Sequence, residues 1–218
     1  MASILDGLDS RRLGSTDWSL RTIFGPSEEP LPLEEVKAHL RVDFSDEDAM
    51  IAGYISAARE LVEEETDRAL VTQTLELGLG GFPNSDRIRI PRGQLQSIDS
   101  FKYTDSNGTD HTMVAGTDYI PNQYAEPAEV VLPFSQLWPT VVLNTASPVR
   151  VRFTCGYGTA DDVPVRAKQA ILMLVGDWYV NREDVVIGRT STVAAKLPNG
   201  FDRLITNLRL RNYTPFGR

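Results

Sequence analysis

Residues 163–184 read VPVRAKQAILMLVGDWYVNRED, and the rest of the fold depends on where this stretch is placed. Between Ala170 and Val180 only Gly176 and Asp177 are not apolar. A helix that is hydrophobic nearly all round has almost no solvated face, so it belongs in a core, an oligomer interface or a membrane. A bilayer crossing needs ~20 apolar residues. The dense run here is about half that length, and Asp177 interrupts it. Pro164 suits a first helical turn, where its missing N–H leaves nothing unsatisfied. Arg166 and Lys168 open the segment and Asn181-Arg182-Glu183-Asp184 close it, so both ends reach water. The expectation is a buried central helix, with Ile171, Leu174, Trp178 and Tyr179 as its core or assembly residues.

The composition agrees with a packed domain. The 218 residues are 41% hydrophobic and 24% charged, ordinary values for a chain that buries a real core. The net charge of −8 argues against a general nucleic-acid binder, which neutralises phosphates with a basic surface. A single cysteine, Cys155, excludes an intramolecular disulfide and any cysteine-based zinc site, and fits a reducing compartment. The chain opens without a charged-then-apolar segment, so export by that route is not expected.

Upstream of the central segment the chain divides by its periodicities. Residues 1–32 read as an N-terminal arm. Their apolar residues, Trp18 and Ile23-Phe24 among them, show no sustained period, and Gly25-Pro26 and Pro30-Leu31-Pro32 punctuate the end. A flexible terminus and an arm that orders on a partner are both open. Residues 33–70 form the first part of a helical core. Leu33, Val36 and Leu40 make one stripe, then Ile51, Ile55, Ala58 and Val62 make a second, longer one. Ser45 with Asp48 three residues on reads as a capping-box variant at the start of that second helix. Glu63-Glu64-Glu65 sit near its end, where the helix dipole disfavours negative charge. Between Glu28 and Asp67 there are thirteen Asp or Glu against three Lys or Arg. That stretch is either a solvated face or a surface repeated in an oligomer, meeting a basic partner or lining a pore that must not hold DNA.

From Val71 the period changes to two. Leu75, Leu77 and Leu79 alternate with Glu76 and Gly78, and Ile88 and Ile90 with Arg87 and Arg89. Asp105-Ser106-Asn107-Gly108 is a hairpin turn, since Asn and Gly accept positive φ. Further strands are expected over 112–115, 119–120, 129–132 and 149–155, the last with Val149, Val151, Phe153 and Cys155 on one face. Residues 71–160 are therefore a small antiparallel β module inserted between two helical parts. Residues 161–210 are the second helical part, with a loop at 185–200 and Phe201, Leu204, Ile205 and Leu208 at helical spacing. Residues 211–218 form a C-terminal tail. The fold class is α+β: a helical core of three to four helices carrying an inserted antiparallel β module.

Catalytic patterns are not found. His39 and His111 lie on different modules without neighbours at metal-ligand spacing, and no G-x-S-x-G, P-loop or G-x-G-x-x-G occurs. Cys155, ending an alternating strand, reads as a small buried apolar residue. No catalytic, cofactor-binding or metal-binding residue is assigned.

The order of landmarks carries more. HLRVDFSDEDAMI (39–51), AARELVEEETDRAL (57–70) and QTLELGLGGFP (73–83) come first. IRIPRGQLQSIDSFKYTDSNGT (88–109), WP (138–139), VRVRFTCGYG (149–158), VPVRAKQAILMLVGDWYVNRE (163–183) and LPNGFDRLITNLR (197–209) follow. This series resembles the head–tail connector (adaptor or head-completion) proteins of long-tailed double-stranded DNA phages and gene transfer agents, over roughly residues 31–210. The resemblance implies a homo-oligomeric ring, a dodecamer, docked on the portal protein at the virion neck after assembly in the host cytoplasm. It implies a platform for the stopper or tail protein, a channel through which genomic DNA passes without sequence-specific binding, no membrane, no cofactor and no enzymatic activity. The basic, aromatic segment with Asn207, Arg209, Arg211, Tyr213, Phe216 and Arg218 resembles the C-terminal segments with which such adaptors grip the portal. A solvated, frayed terminus is the other reading of it. The N-terminal arm and Cys155, where Ala is expected, depart from the family pattern. A DNA-packaging accessory protein, either a metal-dependent nuclease or a DNA binder, is the alternative from another class.

Overall fold

A computed structural model describes residues 18–181, 197–198 and 200–210. Among these residues eight strands and four α-helices follow in chain order: β1 (Trp18–Phe24), α1 (Leu33–Leu40), α2 (Asp48–Thr66), β2 (Gln73–Leu79), β3 (Arg87–Arg89), β4 (Leu95–Thr104), β5 (Asp110–Met113), β6 (Ile120–Asn122), β7 (Glu129–Val131), β8 (Val149–Cys155), α3 (Val165–Val180) and α4 (Phe201–Ile205). The class is α+β, with the strands from β2 to β8 lying in sequence between α2 and α3.

The helical part closes around α3, against which α1, α2 and α4 all pack. Ile51, Ile55, Ala58 and Val62 of α2 meet Ala167, Ala170, Ile171, Leu174 and Val175 of α3 in one cluster, together with Phe201 and Ile205 of α4. These residues are 0–2% exposed, so each large side chain there contributes about 1.5–3 kcal/mol of burial. Every residue from Ala170 to Tyr179 of α3 is buried or half-buried, as the nearly continuous apolar run requires, while Val165 and Val180 at its two ends are 72% and 78% exposed. The capping box expected at Ser45 is absent: the helix starts at Asp48 after Glu47 with no side-chain cap, and the Asp48 carboxylate is paired with Lys37 Nζ at 2.6 Å.

The strands form two antiparallel sheets, ordered β1-β2-β8-β4-β5 and β3-β7-β6, which share one apolar cluster. Leu75, Leu77 and Leu79 face inward on β2 opposite Phe153, Val151 and Val149 on β8. On the opposite face Glu76 pairs with Arg152 at 2.8 Å. The expected strands at 112–115 and 119–120 are shifted to Asp110–Met113 and Ile120–Asn122.

One expectation is overturned at the N-terminal end. Residues 18–24 of the expected arm are strand β1, paired antiparallel with β2 from Trp18↔Leu79 to Phe24↔Thr74. Trp18 and Leu20 pack on the β cluster, and a bulge between Thr22 and Phe24 then breaks the two-residue alternation. Gly78 makes room for this edge strand, since a Cβ there would come within 2.9 Å of Ser19 Oγ. The remainder of the arm, the 185–200 loop except residues 197, 198 and 200, and the 211–218 tail lie outside the described residues.

The two parts are joined by Gly156-Tyr157-Gly158, which turns the end of β8 toward α3. Tyr157 N–H donates to Leu70 O at 3.1 Å, and Thr72 N–H donates to Gly158 O at 2.9 Å. Gly156 has φ +123°, and a Cβ there would lie 2.6 Å from Val71 O, so only glycine fits this joint.

Candidate assembly surfaces

Two surfaces stand out, one on the β module and one at the C-terminal end of α2. The first begins with a compositional fact: residues 132–149, LPFSQLWPTVVLNTASPV, contain no ionisable side chain. Within it Phe134 is 100% exposed, Leu137 84%, Val142 75% and Val141 44%. The segment is nonetheless fixed. Trp138 turns inward, its ring stacked on Phe82 at 5.3 Å and its Nε1–H donating to Ser85 O at 2.7 Å. Leu132 N–H donates to Asp86 O, Ser106 N–H to Val142 O, and Asn144 N–H to Thr104 O. The loop thus holds four solvated apolar side chains in place, and an ordered apolar patch of this kind marks an interaction site. Its lack of charge gives it nothing with which to hold phosphates.

The second surface gathers arginines onto α2. A helix leaves its last four carbonyls without partners, and Glu63-Glu64-Glu65 add negative charge to that negative end. The fold answers both. Arg92 Nη1 donates to Glu63 O at 2.8 Å, Arg209 Nε to Glu65 O at 3.1 Å, and Leu210 N–H to Thr66 O at 2.9 Å. Glu63 itself is buried. Its Oε1 accepts from Leu70 N–H at 2.8 Å and Gln73 Nε2 at 3.1 Å, and its Oε2 from Arg59 Nη1 at 3.0 Å. Burial pushes the Glu63 carboxyl above its ordinary range, against these hydrogen bonds and against Arg59 and Arg92. Arg59, equally buried, also pairs with Glu29 at 2.8 Å. Arg68 donates from Nε to Leu208 O and pairs with Glu126 of the β module.

The residues singled out from sequence are thereby separated. Ile171 and Leu174 are fully buried within the subunit. Trp178 is half-buried and edge-on to Tyr54 at 6.0 Å, and Tyr179 Oη donates to Glu47 at 2.6 Å. Asn207 is exposed, whereas Arg209 is engaged with Glu65 at 2.6 Å and Asp202 at 3.1 Å. Arg211, Tyr213, Phe216 and Arg218 lie outside the described residues. The apolar loop was missed, although a run without charge was visible in the sequence.

Reactive chemistry has little to build on among the described residues. Four carboxylates of 43–65 are drawn to cations and hydroxyls, Asp48 to Lys37, Glu47 to Tyr179, Glu63 to Arg59 and Glu65 to Arg209. No group of three or more His, Cys, Asp or Glu among the described residues is placed to hold a metal ion. Cys155 is fully buried and burial pushes its thiol up to about 12, far from a nucleophile's range. His111 Nε2 lies 3.0 Å from Asp105 Oδ2 at the base of the hairpin turn, with its ring stacked on Tyr103. No helix among the described residues is long and apolar enough to cross a membrane.

No curated protein matches the chain. Among solved structures, a chain from the neck of an empty gene transfer agent particle, computed with C6 symmetry, matches with a TM-score of 0.72. The two are 23% identical, over 90% of this chain and 97% of that one. A chain from the virion of a native gene transfer agent matches with a TM-score of 0.72 at 22% identity, over 89% and 97%. A chain from the neck of a native particle, computed with C12 symmetry, matches with a TM-score of 0.69 at 23% identity, over 90% and 97%. At these identities the likeness establishes a common fold. The model of the phage gp6-like head–tail connector protein family matches residues 31–124, from the approach to α1 through β6. Over those residues, fewer than half of the 218, the chain is similar to the phage head–tail connector family.

Proposed function

We propose that this protein is a structural adaptor of a virion neck, a ring of copies seated between the portal and the stopper or tail proteins of a phage or gene transfer agent. The observation that carries the reading is the ordered, uncharged loop that holds Phe134, Leu137, Val141 and Val142 in solvent. Such a surface is of use to a protein that spends its working life covered by another, and it offers nothing to a small substrate. The fold shared with chains of gene transfer agent necks computed with C6 and C12 symmetry supports a cyclic assembly, with a dodecamer as the proposed size. The net charge of −8 suits a conduit past which genomic DNA slides without sequence-specific binding. The role is mechanical, with no turnover. Asn207, Arg209, Arg211, Tyr213, Phe216 and Arg218 are the proposed portal-binding segment, since Arg and aromatic side chains are the types enriched at interface anchors. The nuclease alternative is disfavoured by the engagement of the α2 carboxylates with Lys37, Arg59 and Arg209.

The test is native mass spectrometry with negative-stain imaging of the protein alone and mixed with its portal. A closed ring, or a monomer that becomes stoichiometric with portal subunits, is the expected result. A monomer that ignores the portal at high concentration, together with metal-dependent cleavage of DNA, would overturn it.

A further inference from the structure

The last described residues are fixed one by one. Leu208 O accepts from Arg68 Nε. Arg209 donates to Glu65 O and pairs with the Glu65 carboxylate at 2.6 Å. Leu210 N–H donates to Thr66 O at 2.9 Å, and the Leu210 side chain is 7% exposed, with Cδ1 3.3 Å from where a Cβ on Gly93 would stand. Arg68, 6% exposed, reaches from this point to Glu126 in the β module. A chain end left free does not normally have three consecutive residues held by separate partners, one of them a buried arginine.

We infer that Glu65, Arg68 and Arg209 are positioning residues: they clip residues 208–210 to the end of α2 and so fix where the C-terminal tail leaves the body. The inference rests on the reading of that tail as the portal-binding segment. The clip sets the tail's affinity without touching the partner, so within the portal-binding segment Arg209 serves as the anchor to Glu65 and not as a contact. Residues 211–218 span at most about 28 Å when fully extended, so a root that wanders displaces them from a fixed site on the partner. Opening the clip also lowers the fraction of molecules whose tail starts at the right point, and apparent affinity falls with that fraction.

The test uses the full chain and purified portal, with binding measured by biolayer interferometry and amide exchange at Leu210 followed in parallel. Glu65→Arg and Arg209→Glu each break the 2.6 Å pair, and the double variant reverses it. Asp202, 71% exposed at its side chain, can turn to solvent in the double variant. Each single variant is expected to exchange faster at Leu210 and to bind portal about tenfold more weakly. The double variant is expected to recover Leu210 protection and to bind within about threefold of wild type, a rescue that a lost direct contact by Arg209 would not allow. Single variants that exchange faster at Leu210 yet bind as wild type overturn the inference. So does a double variant that regains protection but not binding. If wild type itself fails to bind the portal, the functional reading falls and takes the affinity claim with it. The exchange data then still report whether the pair holds the segment.

Discussion

Glu63→Gln isolates the centre of the junction between the helical part and the β module. The substitution keeps the shape and one oxygen, so Leu70 N–H retains its acceptor. It replaces Oε2 by an amide NH2 facing Arg59 Nη1, two donors at what is now a 3.0 Å contact. Losing a charge-assisted hydrogen bond of this kind costs about 1.5–3 kcal/mol. A fully stranded buried charge would cost about 3–5 kcal/mol, but Arg59 keeps Glu29 at 2.8 Å. Removing a carboxylate whose ionised form is penalised by burial offsets part of the loss. The net expectation is a destabilisation of about 2 kcal/mol, which for a chain of this size lowers Tm by roughly 4–8 °C. Thermal melts and urea titrations at neutral pH measure it, with m unchanged. The pH dependence supplies a second check. Glu63 titrates above its ordinary value of 4.5 in the folded state, so the native state holds that proton more tightly than the unfolded state. Its contribution is fully present below 4.5 and is lost as pH rises through the folded value. The gap between wild type and Glu63→Gln therefore widens as pH is lowered from neutrality toward that window. A variant that melts at or above wild type at pH 7 would refute the junction argument. A gap that narrows toward acid would show pairing, rather than burial, dominating at Glu63.

Other perturbations test other parts of the fold. Gly156→Ala places a Cβ 2.6 Å from Val71 O at a φ of +123°, so it is expected to lose about 2–4 kcal/mol in urea unfolding, and a loss below 0.5 would contradict the close approach. Phe134→Ser with Leu137→Ser changes two side chains that are 100% and 84% exposed, so the melt should stay within about 0.5 kcal/mol while assembly, read by native mass spectrometry, is lost. Intact assembly in that variant would remove the loop from the interface. Cys155, fully buried with its thiol raised to about 12, should resist iodoacetamide at pH 8 in the folded protein and react promptly in denaturant. Prompt reaction without denaturant would show that the β cluster opens.

What the sequence made legible was whatever depended on one element at a time. The α2 stripe of Ile51, Ile55, Ala58 and Val62, and the β8 alternation of Val149, Val151, Phe153 and Cys155, are both buried as their periods require. Strand β1 escaped because only Trp18 and Leu20 alternate as apolar residues before Thr22 and the bulge that follows it break the pattern. The apolar loop escaped because sequence alone does not say that Trp138 turns in while Phe134 and Leu137 stay out. Glu63-Glu64-Glu65 offered a different kind of signal. Three acids at a helix C-terminus break a local rule, and natural chains tend to break such rules where something other than the local element is being served. Here the acids and their carbonyls receive Arg59 from one turn back, Arg92 from the β module and Arg209 from the C-terminal segment. Those arginines lie far apart in sequence, so no period could have joined them. The conflict at the end of α2 was the visible half of an interaction whose other half only folding supplies. It ties the helical part, the β module and the root of the C-terminal tail to a single point.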